Sequence, residues 1–542
     1  MTTANSSLRP IFCLAVIGIV AVILYATSPL TGDFWWSDAP RHALNGIFVK
    51  DLVTAHPIAD PMGYATEYYL KYPALTILFY PPLFYVISAV FFSLAGIGHP
   101  QAQMVVSIFY FLLGAGCFAL GRLWLRPLGA LAAAIFLMVM PETALWGRQV
   151  MLEVPMLAFT GWAAYFLMRF DRDGRFLQYC AALILMLAAL YTKQTAAFLV
   201  PAMAWHLARG RGRDLLSQPR FWIVTIAALV ALIPLALLTW KFGAANIQSV
   251  VSVADTPVDR ASLANWTWYA AALPGMTGWL LLAAAVLFLV LRSWKRGLPL
   301  PPRDLVFLTV WFIGGYVLLS LISLKEARHA TLILPPLAIW AAALLDSIPR
   351  PAWRNMAAAA AMSGCLAFLL AFCPVPRVSG YREAAQWIAH VAPHDSVIIF
   401  SGKRDGSFVH AMRTATGRTD IWTVRSDKLL LDVAVRRQLG VREHDLSEVQ
   451  IRDLIRRLNV RYIVMQQDFW IDLPVMRRFQ SVLESPSFVE EKQITVQANV
   501  PVEDKQIRIY RSRMPPVPAR SSVTIGLPII GRSIEGTVGH QP

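Results

Sequence analysis

Four short groups of charged and aromatic residues stand out because each lies beside a long apolar segment. They occupy residues 33–42, 146–155, 191–194 and 325–329. A charged side chain at the centre of a membrane helix costs about 2.5–3.5 kcal/mol, so charges retained beside apolar segments mark candidate functional sites. Together the groups supply carboxylates and cations. That combination suits a site that binds an anion and removes a proton.

Each group also has a structural explanation: an ion pair within a loop, contact with lipid headgroups, or a lysine that extends to the membrane surface. These explanations apply to Asp38 with Arg41, Arg148 with Glu153, Arg328 with His329, and Lys193. The sequence leaves the choice open for each group alone. Four groups on one side of a membrane favour a shared site.

The elements that must position these groups are long apolar helices. Of the 542 residues, 56% are hydrophobic and only 15% are charged, whereas soluble domains average about 25% charged. The apolar residues fall in blocks of about 20, the length that crosses a bilayer core. We predict about eleven spans, near residues 11–30, 103–124, 128–145, 154–170, 176–195, 196–208, 221–242, 268–291, 304–323, 330–347 and 355–374.

The placement of basic residues predicts which side of the membrane each loop faces. A net charge of +16 could indicate a nucleic-acid partner, but much of the charge lies in alternate short loops. These loops contain Arg122, Arg126, Arg169, Arg172 and Arg303, among others. Such alternation is typical of the cytoplasmic loops of a multi-pass membrane protein. The pattern argues against nucleic acid and places all four charged groups on the outer face.

Two apolar segments allow other interpretations. Residues 11–30 could be a cleaved signal peptide, but only Arg9 precedes this long apolar run, and further spans follow it. Residues 81–97 are apolar enough to cross, yet a crossing there would invert the side of every later loop. We predict instead an interfacial helix within a first outer loop that extends from about residue 31 to 102.

The chain after residue 375 has a different pattern and is predicted to be extracytoplasmic. Short apolar runs of strand length alternate with helical segments, which indicates an α/β domain. We predict a transmembrane domain at 1–375, an outer α/β domain at 376–512, and a disordered tail at 513–542. The α/β domain has no phosphate-binding loop, so we expect it to orient the acceptor or a partner.

The membrane half resembles the GT-C superfamily, and within it the family 39-like enzymes. These include aminoarabinose transferases acting on lipid A, protein O-mannosyltransferases and rhizobial galacturonosyltransferases. Five motifs carry the resemblance, in order between residues 10 and 350: Asp38-Ala39-Pro40-Arg41-His42; Tyr80-Pro81-Pro82-Leu83; Gly147-Arg148 with Glu153-Val154-Pro155; Tyr191-Thr192-Lys193; and Lys325 with Arg328 and Pro335-Pro336. Two positions depart from the family pattern. Ala39 replaces a glutamate, and Tyr80 replaces a lysine that would hold the donor phosphate.

The resemblance implies a polytopic GT-C-like fold and inverting transfer from a polyprenyl-phosphate-linked sugar. The acceptor would be lipid A or a polysaccharide, a glycolipid or a protein, at the outer face of the inner membrane. The resemblance implies no cofactor. The outer loops contain no Asp-x-Asp motif, so we also predict no required divalent metal. The alternatives are a flippase for lipid-linked sugar and a catalytically silent assembly component.

The resemblance also assigns roles to residues. Asp38 is the expected general base. Arg41, Lys193 and Arg328 are expected to bind the donor phosphate. The remaining candidate substrate-binding residues are His42, Tyr80, Arg148, Glu153, Lys325 and His329. Trp35 and Trp36 fit either stacking on the sugar or anchoring at the interface.

Overall fold

The computed structural model describes residues 10–243, 260–295, 297–433, 437, 440–515, 521–527 and 532–538. The first two thirds of the chain are helical. The helices are α1 (Pro10–Ala26), α2 (Ala39–Ala55), α3 (Pro61–Lys71), α4 (Leu83–Ala95), α5 (His99–Gly121), α6 (Pro127–Val139), α7 (Pro141–Gly147), α8 (Glu153–Asp173), α9 (Phe176–Leu190), α10 (Val200–Gly210), α11 (Gly212–Leu216), α12 (Pro219–Ala231), α13 (Ile233–Phe242), α14 (Leu263–Thr277), α15 (Trp279–Trp294), α16 (Pro302–Ser320), α17 (Leu334–Asp346) and α18 (Pro351–Phe372). Two 3-10 helices, Gln194–Leu199 and Ala327–Ile333, lead into α10 and α17.

Each predicted span overlaps a helix, but the helices are less regular than the pattern predicts. Within the described ranges, five helical segments are long and apolar enough to cross a membrane, or seven if each bent pair is one span. The bent pairs are α6 with α7, at 66°, and α14 with α15, at 116°. Helices α1, α4 and α9 are apolar but shorter. The polytopic helical fold is confirmed, while the count of eleven spans stays a prediction.

Charged residues gather at two opposite ends of the helical bundle. At one end Arg172 bonds to Asp304 at 3.0 Å and Arg303 bonds to Asp171 at 2.7 Å. Glu153 begins helix α8, and Asp171 lies 18 residues later, which corresponds to about 27 Å along the axis. The groups predicted to be inner and outer therefore lie a membrane thickness apart.

The first loop contains three helices, α2, α3 and α4. Helix α4 covers most of the segment predicted to be an interfacial helix, and it packs along α2. The two helices approach closely at Gly46, where an added Cβ would lie 2.9 Å from both Phe92 and Ser88. Helix α2 is thereby held against the bundle, and the residues at its start are fixed relative to the later loops.

The C-terminal part is the α/β unit that the sequence predicts. A five-stranded sheet has the order β3-β2-β6-β9-β7, with β2 parallel to β3 and β6, and β9 antiparallel to its neighbours. The strands are β1 (Val378–Ser379), β2 (Val397–Ser401), β3 (Trp422–Arg425), β4 (Leu431–Val433), β5 (Val441–Glu443), β6 (Val460–Gln466), β7 (Phe488–Thr495), β8 (Gln497–Ala498), β9 (Gln506–Ser512), β10 (Ser521–Leu527) and β11 (Arg532–Val538). The helices of this part are α19 (Tyr381–Val391), α20 (Asp405–Thr414), α21 (Ser426–Leu429), α22 (Glu448–Arg457) and α23 (Pro474–Leu483). Apolar clusters cover both faces of the sheet.

The end of the chain differs from the disordered tail that its composition predicts. Strands β10 and β11 form an antiparallel pair, in which Val523, Ile525 and Val538 are buried. Their burial against the sheet domain's core provides the apolar contact that a disordered segment lacks. The predicted tail also includes residues 516–520, 528–531 and 539–542, which lie outside the described residues.

Candidate active site

A cavity of about 1630 Å³ lies between the helical bundle and the C-terminal domain. From the bundle it is lined by six of the residues that the sequence singles out: Asp38, Arg41, Tyr80, Lys193, Arg328 and His329. From the C-terminal domain it is lined by residues that include Asp405, Arg425, Asp427 and Lys428. The fold thus brings separate loops to one space that is large enough for a sugar and a phosphate.

Asp38 and Arg328 form an ion pair at the cavity wall. Asp38 immediately precedes α2, and its Oδ2 lies 3.0 Å from Nη1 of Arg328. Arg328 is buried, bonds also to Glu326, and stacks with its guanidinium 5.0 Å from the Trp36 ring. Burial raises the pKa of the Asp38 carboxyl, but the charge and hydrogen bond of Arg328, together with His42 and Arg41, outweigh burial and hold that pKa well below its usual range. Asp38 is therefore a carboxylate at neutral pH.

Lys193 and Glu153 form a second, more deeply buried pair. Nζ of Lys193 lies 2.6 Å from Oε1 of Glu153. Lys193 lines the cavity at the start of the 3-10 helix Gln194–Leu199, while Glu153 stands behind it at the start of α8. The other carboxylate oxygen of Glu153 has no hydrogen-bond partner among the described residues. The ion pair with Glu153, which does not line the cavity, thus fixes the position of Lys193 at the wall.

His42 lies within electrostatic range of both ion pairs. It is buried one turn into α2, where Nδ1 lies 3.0 Å from the Tyr85 hydroxyl. Burial lowers the pKa of His42 to about 4; nearby Asp38 and Glu153 raise it, while Lys193 and Arg328 lower it further. One neutral imidazole therefore lies within the electrostatic field of all four charged groups.

Arg41 lines the cavity, but its main partner belongs to the C-terminal domain. Nη2 of Arg41 donates to both carboxylate oxygens of Asp405, at 2.8 and 2.9 Å. Nη1 donates to the carbonyl of Ala74 at 3.3 Å. The fold therefore fixes the direction of this guanidinium through a residue more than 360 positions away in the sequence.

The structure does not bring Arg148 and Lys325 into this cavity wall. Arg148 donates to the carbonyls of Ala144 at 3.0 Å and Cys373 at 3.2 Å, so it joins α7 to the end of α18. Lys325 donates to three carbonyls at the end of α16, the nearest at 2.7 Å. Backbone carbonyls left free at helix ends attract both side chains. The bridge considered between Arg148 and Glu153 is replaced by the Lys193–Glu153 pair.

The cavity also contains residues that the sequence did not assign to the site. Glu326 lies in the group 325–329 and bonds to Arg328, so its position in that motif was an available signal. Asp405, Arg425, Asp427 and Lys428 had no such signal, because no motif in the C-terminal half marks them. Among the residues that the structure describes, no three His, Cys, Asp or Glu side chains gather in a group that could hold a metal ion.

Comparisons with known proteins agree with this architecture. Residues 80–240 match the family model described as dolichyl-phosphate-mannose-protein mannosyltransferase. The structure matches that of ArnT from Cupriavidus metallidurans bound to undecaprenyl phosphate, with a TM-score of 0.62 and 13% identity over 93% of this chain and 99% of that chain. The chain has the GT-C fold.

Two further structures with the GT-C fold are similar to this chain. The oligosaccharyltransferase of Archaeoglobus fulgidus matches with a TM-score of 0.53 and 12% identity, over 94% of this chain and 76% of that one. The arabinofuranosyltransferase AftD from Mycobacteria matches with a TM-score of 0.51 and 17% identity, over 94% of this chain and 40% of that one. No curated protein sequence matches the chain. The resemblance to the GT-C superfamily drawn from the motifs is confirmed.

Proposed function

We propose that this protein transfers a sugar from a polyprenyl-phosphate-linked donor to an acceptor at the outer face of the inner membrane. The observation that carries the proposal is the meeting of Asp38, Arg328 and Lys193 at one cavity wall, from three separate loops. The GT-C fold supports it, as does the undecaprenyl phosphate bound by ArnT and the dolichol phosphate bound by an archaeal relative of this fold.

The cations of the cavity wall bind the donor phosphate in this proposal. Arg328 presents a planar guanidinium suited to phosphate, and Lys193 presents a compact ammonium. Negative charge grows on the phosphate as its bond to the sugar breaks, and preorganised cations stabilise that charge. Tyr80 stands where a family lysine would be, so Lys193, Arg41 and Arg328 carry the phosphate without that cation.

Asp38 acts as the general base that accepts the proton of an acceptor hydroxyl. Its pairing with Arg328 keeps it ionised, but the same pairing makes it a weak base. A bound donor phosphate would share the Arg328 cation, which weakens that pairing and raises the basicity of Asp38. Donor binding and base strength are thereby coupled. The new sugar bond forms on the face opposite to the departing phosphate, which inverts the anomeric centre.

The division of the chain supports separate tasks for its parts. We propose that residues 1–375 bind the donor in the membrane and that residues 376–512 cover the cavity from the periplasmic side. A lipid A, polysaccharide, glycolipid or protein acceptor would enter between the two parts, because residues from both line the cavity. The domain boundaries and the side of the membrane are part of this proposal.

The test compares envelope glycoconjugates by mass spectrometry in cells that lack the gene and cells that carry a plasmid copy. We expect one sugar modification to vanish without the gene and to return with the unmutated protein but not with Asp38→Asn. The matched control is Asp60→Asn, which changes an exposed carboxylate that caps α3 within the same loop. It should restore the modification fully.

Binding of undecaprenyl phosphate by the purified protein accompanies that test, and Asp38→Asn should keep it. Full modification in cells carrying Asp38→Asn would overturn the assignment of the base. Movement of lipid-linked sugar across vesicles without transfer would favour a flippase. An assembly component would be favoured by a third result: the modification is lost in cells without the gene but is fully restored by every cavity variant.

A further inference from the structure

The segment at the start of helix α20 forms hydrogen bonds to the loop that carries Asp38. Arg404 donates to the carbonyls of Phe34, at 3.5 Å, and of Trp35. The Ser407 hydroxyl donates to the same Phe34 carbonyl at 3.2 Å. The C-terminal domain therefore holds the backbone only a few residues before Asp38, in a part of the chain without regular structure of its own.

Asp405, in the same segment, holds a side chain one turn after Asp38. It accepts two hydrogen bonds from Arg41, and its Oδ2 also lies 2.5 Å from Nη1 of Arg425. The side chain of Asp405 is only 7% exposed and that of Arg41 18% exposed. A largely buried carboxylate that pairs with two guanidiniums restrains both, because a guanidinium that moved away would give up a charged hydrogen bond in a desolvated site.

The first turns of α2 and α20 are in close contact. A Cβ added at Gly406 would lie 2.8 Å from Cγ of Pro40, closer than real Cβ atoms approach. Glycine at this position therefore allows the start of α20 to contact the start of α2. The contact lies between Asp38 and Arg41 in sequence, so any shift of α20 acts directly on the turn that bears both side chains.

We propose that Asp405 is a positioning residue for transfer: it aims Arg41 at the donor phosphate beside Asp38. This inference rests on the proposed function. Residues 38 and 41 stand on neighbouring positions of one helix face, so the direction of Arg41 decides whether its Nε–H points toward the space next to Asp38. Asp405 and the Ala74 carbonyl occupy the other end of the guanidinium and restrict that direction.

A second bridge between the same two helices supplies a matched control. Arg413 of α20 bonds to Asp51 of α2 at 2.8 Å, with both side chains largely buried. Asp51 lies ten residues beyond Arg41, about 15 Å further along the helix. It contributes to docking of the C-terminal domain but is not one of the residues that line the cavity. Docking and positioning can therefore be separated.

The experiment uses the full-length protein purified in detergent and undecaprenyl phosphate as the probe. Its dissociation constant is measured for Asp405→Asn, Asp51→Asn, Arg41→Gln and the double variant Arg41→Gln/Asp405→Asn. We expect about tenfold weaker binding for Asp405→Asn, the effect typical of losing one charged hydrogen bond, and no change for Asp51→Asn. In the Arg41→Gln background, Asp405→Asn should have no further effect, because its role acts through Arg41.

Gly406→Ala provides a variant that changes no charge. The added methyl group should displace the start of α20 from Pro40 and weaken probe binding in the same direction as Asp405→Asn. This variant keeps the inference testable if removal of the buried Asp405 carboxylate prevents folding.

Three outcomes would overturn the inference. They are equal effects of Asp405→Asn and Asp51→Asn, additive effects of Arg41→Gln and Asp405→Asn, or unchanged probe binding by Gly406→Ala. Failure of the unmutated protein to bind the probe is a different result, since it contradicts the proposed function itself. If the unmutated protein binds the probe and Asp405→Asn binds it as well as Asp51→Asn does, only the positioning role is contradicted.

Discussion

Replacing Lys193 with Met separates the structural role of this residue from its proposed role in phosphate binding. The substitution removes an ammonium that lies 2.6 Å from Oε1 of Glu153. Glu153 is completely buried, and its Oε2 already has no partner among the described residues. The variant therefore leaves a buried carboxylate whose two oxygens both lack a partner in the described part of the chain.

Two estimates give the size of the effect. At an effective dielectric constant of 20, unit charges 2.6 Å apart attract with about 6 kcal/mol. Removal of one partner from a buried ion pair typically costs about 3–5 kcal/mol, because the other charge stays desolvated. We therefore expect Lys193→Met to lower the free energy of unfolding by several kcal/mol, a large part of the stability of a typical domain.

The assay is thermal unfolding of the purified protein in detergent, followed by tryptophan fluorescence. The matched variant is Lys193→Met/Glu153→Leu, which removes both charges and replaces the carboxylate with an apolar side chain of similar size. We expect the double variant to melt close to the unmutated protein, since replacing a buried pair with apolar residues is often neutral. Both variants should bind undecaprenyl phosphate more weakly, because both lack the cavity ammonium.

The reasoning would be refuted by a Lys193→Met protein that melts like the unmutated one, since the carboxylate would then have another source of stabilisation. A double variant less stable than Lys193→Met would refute it also, because the two substitutions should compensate. Restored stability together with unaltered binding of undecaprenyl phosphate would show that Lys193 is structural and does not hold the donor.

Two further predictions concern contacts outside the cavity. The Asp33 carboxylate accepts hydrogen bonds from the first two backbone N–H groups of α19, and burial raises its pKa to about 6. The folded-state pKa of Asp33 lies above its unfolded value of about 3.9, so this group stabilises the fold at low pH. That contribution disappears as the pH rises through about 6. The melting temperature of the unmutated protein should therefore fall between pH 4 and 7, and that of Asp33→Asn should lack this fall. Arg148→Met should cost about 1.5–3 kcal/mol through its lost bonds to two carbonyls, measured by the same unfolding assay. It should leave undecaprenyl phosphate binding unchanged, and a selective loss of binding would return Arg148 to the site.

Much of the fold could be predicted because membrane helices are marked by local patterns. Apolar length located a helix at every predicted span, and alternation of basic loops assigned the charged groups to two ends. The predicted α/β unit was likewise found because its strands and helices differ in period. The bends of 66° and 116° were not predicted. They depend on how helices pack against one another, which hydropathy averaged over a window does not record.

The candidate site was predicted in part. Asp38, Lys193 and Arg328 occupy the cavity wall because charged side chains at the ends of membrane helices are stabilised in a shared polar space. Arg148 and Lys325 satisfy the same sequence criterion, yet backbone carbonyls at helix ends bind them instead. Residue type and side of the membrane do not distinguish these two uses of a cation.

The sequence by itself determined the class of protein, the order of its helices and several of the charged residues that line the cavity. These follow from solvation, since a bilayer selects apolar length and excludes unpaired charge. Only the tertiary structure decided the partners: Lys193 with Glu153, Asp38 with Arg328, and Arg41 with Asp405. Ion pairs form over a few ångströms, and residues 364 positions apart reach that distance only after the whole chain has packed.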